Sequence, residues 1–175
     1  MSPVVSRQLV EVVDIRSATR TLPLAPEEVL EQALDRWQVT EGGLRTTVLS
    51  AEDPFVLAET CWYVPDHGLR LRRRRPRDTA AADVTTEIGA VRIDVDDARW
   101  RCTDLLLGLE ILDGRPARVA HHADFAAAVA GGVLSATDAD EAMSTVHRVL
   151  GELGEARHDL DAWTGSLGIG SLTRY

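Results

Sequence analysis

Asp104, Glu110, His121, His122 and Asp124 lie within one short span of the chain and carry side chains able to do acid–base or metal chemistry. Read as a period-two strand, Asp104, Leu106, Gly108 and Glu110 share one face. Leu105, Leu107, Leu109 and Ile111 share the other, a continuous apolar stripe suited to a core. Asp113-Gly114 is a turn signal, so the chain is expected to return antiparallel through residues 115–120. That return would carry His121, His122 and Asp124 back toward the start of the first strand. Carboxylates and imidazoles brought together in this way could bind a metal or work as an acid–base pair, a histidine being tuned by a neighbouring aspartate. Asp124 has a rival role, capping the helix that begins near Phe125. Asp104 has one too, as the partner of an arginine such as Arg101 or Arg118.

A second set of candidates is cationic. Arg70, Arg72, Arg73, Arg74, Arg75 and Arg77 crowd into one run of an otherwise acidic protein. On a strand, Arg72 and Arg74 face one way and could clamp a phosphate or carboxylate, while Arg73 and Arg75 face the other. Glu87 and Trp100 are further candidates for a substrate-facing wall, although the pattern around Trp62 and Trp100 suits core aromatics. Cys61 and Cys102 sit in apolar strands and read as buried, inert thiols.

The elements expected to position these groups form a single domain over residues 1–175. A strand is expected at Gln8–Ile15. A helix is predicted from Pro26 to Trp37, with Val29, Leu30, Ala33, Leu34 and Trp37 on one stripe. Short strands follow at 44–50, 55–64, 69–75, 83–88, 91–95 and 99–112, with turns at 66–68 and 88–90. An amphipathic helix should begin near Asp124 and a longer one near Thr137, and the tail beyond Trp163 should fold back. This is an α+β reading: a small antiparallel β-barrel over about 8–122, with an N-terminal helix and two C-terminal helices in 124–163 packed on it.

Composition narrows the function classes. The net charge of −9 argues against nucleic-acid binding, and no apolar run is long enough to span a bilayer. No signal-peptide pattern opens the chain, so a cytoplasmic setting is expected. Lysine and asparagine are both absent, which excludes a phosphate-loop lysine, a Schiff-base lysine and an N-glycosylation acceptor. The expected partner is an anionic small molecule, and a homodimer is compatible with the sequence.

The order of strands, the run Trp62-Tyr63-Val64-Pro65-Asp66-His67-Gly68-Leu69-Arg70, the strand from Trp100 to Asp104, the Asp-Gly hairpin and the helical tail together resemble the FomD-like family. The resemblance covers roughly residues 51–163. It implies a small barrel phosphohydrolase that removes phosphate from nucleotide-type substrates with Mg²⁺ or Mn²⁺. The family pattern is Asp-x-(Asp/Glu)-x-Asp followed by Lys-Asp-Glu-Asp-Glu-Phe. Here Asp104 matches the first acid, while Leu106 and Gly108 stand at the second and third. In the second motif Ala120, His121, His122 and Ala123 replace the first four residues, Asp124 replaces the last glutamate and Phe125 is kept. Glu87 stands near the polar position of a further family strand.

The resemblance thus implies a metal set of Asp104, His121 and Asp124, with arginines of the 70–77 run neutralising phosphate. The departures leave two alternatives. One is a repurposed barrel, without phosphatase activity and acting without metal, that performs a tailoring or cyclisation step in natural-product biosynthesis. The other is an inactive relative that only binds a ligand or partner.

Overall fold

The computed structural model describes residues 8–25, 28–50, 53–78, 84–112 and 115–172. Ten strands form one antiparallel sheet: β1 (Val10–Asp14), β2 (Thr19–Ala25), β3 (Glu28–Ala33), β4 (Arg36–Thr40), β5 (Gly43–Leu49), β6 (Val56–Val64), β7 (Leu69–Pro76), β8 (Thr85–Asp96), β9 (Arg99–Leu112) and β10 (Arg118–Ala120). The path runs β3-β2-β1-β9-β8-β7-β6-β5-β4, with β10 added on β9. β3 and β4 are the two ends of that path, yet only Leu34 and Asp35 separate them. The sheet therefore curls until its two edges meet at that connection, where Leu34 N–H bonds Ala18 O and Asp35 N–H bonds Thr47 O. No ladder joins β3 to β4 among the described residues, so the result is an open half-barrel rather than a closed barrel.

The two faces of the curl have different jobs. Val13 of β1 shares a buried cluster with Leu44 and Val48 of β5, Tyr63 of β6 and Trp100 of β9. Contacts between strands so far apart in the sheet can only be made across the inside. The outer face presents Trp62, Leu71, Ile88, Leu105, Leu107, Leu109 and Ile111 to α1 (His122–Ala130), α2 (Ala136–Glu155) and α3 (Leu160–Ser166). The alternation read from β9 is the reason: its leucine stripe is the floor on which the helices sit. Trp163, Leu167, Ile169 and Leu172 close this outer core, so the tail folds back as expected.

Three expectations are corrected. The helix over Pro26–Trp37 is instead the pair of edge strands β3 and β4; Pro26 and Glu27 lie outside the described residues. Its apparent stripe is not a buried one, since Val29, Leu30 and Trp37 are exposed and only Leu34 enters the core. Pairing with β2 and β5, which gives one edge of each strand its backbone partners, overrides local helix preference. The strands expected at 83–88 and 91–95 are, from Thr85 onward, one continuous β8 running through the supposed turn at Gly89; residue 83 lies outside the described residues. The long C-terminal helix starts at a capping box of Ser135 with Asp138, two residues before Thr137.

Candidate active site

β9 does not pair evenly with β8. Gly89 lies opposite Gly108 and Val91 opposite Asp104, so Leu105–Leu107 bulge against Ala90 alone. Leu106 sits at the crest with φ of 63°, a left-handed conformation that strains a branched side chain by about 1–2 kcal/mol. Asp104 holds the bulge: its Oδ1 accepts the Leu106 N–H at 2.7 Å. Its Oδ2 takes the Arg70 Nη2 at 2.9 Å. Asp104 thus pairs with Arg70 rather than with Arg101 or Arg118.

Gly89 and Gly108 leave the inner face beside the bulge bare of side chains. A cavity of about 390 Å³ opens there, lined by Arg70, Arg72, Arg74, Glu87, Asp104, His121 and Asp124, with Leu9 and Leu106 as apolar lining. At Gly108 a Cβ would lie 2.5 Å from the Ile88 carbonyl oxygen and 3.3 Å from Gly89 Cα. Gly108→Ala should therefore lower stability by about 1–3 kcal/mol in denaturant unfolding. Gly89→Ala, whose nearest neighbours would be at 3.8 Å, should cost less.

Of the expected site residues, Asp104, His121, Asp124, Arg72, Arg74 and Glu87 line this one cavity. The hairpin that brings them together exists as read, with Arg118 opposite Glu110 and Ala120 opposite Gly108; its Asp113-Gly114 turn lies outside the described residues. Glu110 is tied by Arg118 and borders a neighbouring depression with Arg72, Arg74 and Glu87. His122 opens α1 as an exposed residue and Trp100 is buried in the inner core; neither lines the cavity. The rival role for Asp124 is not realised: α1 is preceded by His121 in a left-handed conformation, φ 61°, with no side-chain cap.

The charged residues of the inner face form one network, parts of which the strand patterns concealed. Glu11 is buried, accepts the Tyr63 hydroxyl at 2.5 Å and the Arg70 Nη1 at 3.0 Å, and lies 3.7 Å from Arg20. Buried Arg20 bonds Gln32 Oε1 at 2.6 Å and pairs with Glu59 at 2.8 Å. Arg74 bridges Glu59 at 2.9 Å and Glu87 at 3.4 Å. Arg72, between Arg70 and Arg74, differs from the rest. Its approaches to Glu59 and Glu87 are 3.6 and 3.7 Å, ion pairs too long for hydrogen bonds, and its buried Nε, the atom facing Glu59, has no hydrogen-bond partner among the described residues. Glu11, Arg20 and Glu59 were missed because each sits singly in a strand; the alternation that buries Val13 also buries Glu11, which was the available signal.

Burial works to raise the Glu59 carboxyl, but the Arg72, Arg20 and Arg74 guanidiniums outweigh it and hold it down at about 2. A carboxyl lower in the folded than in the unfolded chain adds stability that is present above its ordinary 4.5 and lost as pH falls through about 2. Glu59→Gln should remove up to about 3 kcal/mol of that pH dependence, read as a flatter midpoint of urea unfolding between pH 5 and 2. Neither thiol lines the cavity, although Cys61 Sγ accepts from Arg20 Nη1 at 3.2 Å and donates to Glu59 at 3.6 Å. Both are buried, and burial pushes Cys61 up and Cys102 up to about 12.

The donor set does not suit a divalent cation. Both Asp104 oxygens are engaged, three arginines face the same space, and no group of three His, Cys, Asp or Glu side chains among the described residues is placed to hold a metal. No helix there is long and apolar enough to cross a membrane.

Among solved structures, the chain is similar to a protein of unknown function, DUF402, from Rhodococcus sp. RHA1. The TM-score is 0.86 at 24% identity, covering 97% of this chain and 99% of that one. It is more distantly similar to the phosphatase SC4828, solved with the non-hydrolysable nucleotide GPCP. There the TM-score is 0.54 at 11% identity, covering 73% and 74% of the two chains. At these identities the likeness establishes the fold. No family model and no curated protein matches the chain.

Proposed function

We propose that this half-barrel binds a phosphorylated or comparably anionic small molecule in the β7–β9 cavity, as a FomD-like small-molecule enzyme. The observation that carries the reading is Arg72: a mostly buried guanidinium on the cavity wall, paired with Glu59 and Glu87 at 3.6 and 3.7 Å but hydrogen-bonded to neither. A planar fork of N–H groups fits the oxygens of a phosphate or carboxylate. Arg70, anchored by Glu11 and Asp104, and Arg74, anchored by Glu59 and Glu87, flank it with fixed charge. The fold shared with a phosphatase that was solved with a nucleotide supports a phosphate-bearing ligand, as does the motif order in the sequence.

In the hydrolytic version the arginines orient the phosphate and offset its charge. His121, on the cavity wall, is the group that would move a proton to or from water. One observation favours the repurposed barrel instead: where the resemblance expects further acids, the chain has Leu106, Gly108 and Ala123. That reading keeps the anion site and replaces hydrolysis by a tailoring step in natural-product biosynthesis. A cytoplasmic location belongs to the same proposal.

The test has two arms. Calorimetry with inorganic phosphate and pyrophosphate, without metal, reads the site; phosphate release from nucleoside di- and triphosphates with Mg²⁺, Mn²⁺ or Co²⁺ reads the reaction. Binding with release supports the hydrolase. Binding without release under any metal supports the repurposed barrel. Neither binding nor release overturns the proposal.

A further inference from the structure

We infer that the cavity is built for an amphiphilic anion, a phosphate monoester whose alcohol part is apolar, and that Leu106 selects that part. The inference rests on the anion site proposed above and adds the chemistry of the rest of the ligand.

The lining is mixed: Arg70, Arg72 and Arg74 come from β7, while Leu9 and the Leu106 bulge supply apolar surface. Leu106 is where it is at a cost. A leucine avoids positive φ, and this one is kept there by a bulge that the Asp104 carboxylate pins at 2.7 Å. The same carboxylate fixes Arg70. One residue thus sets both kinds of lining at once: Asp104 is a positioning residue, tying the apolar crest to the cationic wall. The paired glycines beside the bulge let β8 and β9 approach closely there and place no side chain on the cavity wall. At about 390 Å³ the cavity holds more than a phosphate ion, and its lining includes Leu9, Ile88, Leu106, Leu107 and Leu109.

Each ligand methylene that leaves water for such a wall tightens binding about fourfold. Butyl phosphate should therefore bind the wild-type protein at least tenfold more tightly than inorganic phosphate, by calorimetry in the same buffer. Leu106→Asn and Leu106→Gly both tolerate a left-handed backbone, so they remove the wall while keeping the bulge conformation, at the cost of the packing that the buried Leu106 makes with the outer core. In either variant, with unchanged circular dichroism, the preference for butyl phosphate should fall to within about threefold of unity, phosphate itself binding as in wild type. A wild-type protein that binds both equally, or a folded Leu106→Asn that keeps the preference, overturns the inference and leaves the anion site standing. Failure of both ligands to bind wild type is the failure of the anion site itself.

Discussion

Replacing Arg72 by alanine is expected to weaken binding of inorganic phosphate or pyrophosphate by roughly 10- to 150-fold while leaving the protein folded. The affinity change corresponds to the loss of charge-assisted hydrogen bonds worth about 1.5–3 kcal/mol. The limited effect on stability follows from geometry. Arg72 makes no hydrogen bond of its own to Glu59 or Glu87, although burial and Arg70 beside it, which work against its charge, are outweighed by Cys61, Glu59 and Glu11, which hold its pKa above the usual value. Glu59 would keep Arg20 and Arg74 as partners after the substitution. Because Arg72 is also the strongest of the charges holding the Glu59 carboxyl down, stability should fall, but by less than the roughly 3–5 kcal/mol of a buried charge left with no partner. Calorimetry and urea unfolding on the same preparation separate the two effects. Equal affinity in the variant would show that Arg72 is not the anion donor. A large loss of stability would show that it is a structural cation instead.

Glu11→Ala should do the reverse and damage the fold. Glu11 is 2% exposed and is the shared acceptor of Tyr63 and Arg70, with Arg20 alongside. Burial and the Glu11 carboxylate push the Tyr63 phenol well above its usual range, so it stays a donor. Alanine would leave a buried hydroxyl without its acceptor and Arg20 and Arg70 short of one countercharge, at a cost of about 3–5 kcal/mol. For a chain of this length that is a fall in Tm of roughly 6–20 °C. Scanning calorimetry checks it. Glu11→Gln, which keeps an acceptor but removes the charge, should fall between the two. A Tm within 2–3 degrees of wild type, roughly the shift that 1 kcal/mol produces, would mean that Glu11 contributes no more than an ordinary surface carboxylate.

Much of the site was legible in order along the chain. The strand from Arg99 to Leu112, its two-faced alternation and the antiparallel return to Ala120 follow from period-two patterning and a turn signal, both of which are local. Local reading therefore placed Asp104, His121 and Asp124 near one another and turned Arg72 and Arg74 to a common side, and the cavity gathers all five. It failed at the edges of the sheet. The stretch read as a helix, 26–37, has helix-compatible spacing, but the backbone of β3 and β4 finds its partners in β2 and β5, a matter of tertiary pairing.

The partners of the charges were also beyond its reach. The sequence by itself determined which face of each strand is charged and which apolar, because alternation is a property of neighbouring residues. Only the curled sheet decided that Asp104 meets Arg70, that Glu11 serves Arg20, Arg70 and Tyr63, and that Arg72 stops short of hydrogen bonds to Glu59 and Glu87. Those pairings join strands distant in sequence, and whether an ion pair closes at 2.9 Å or stops at 3.6 Å depends on the curvature and bulge that bring the strands together.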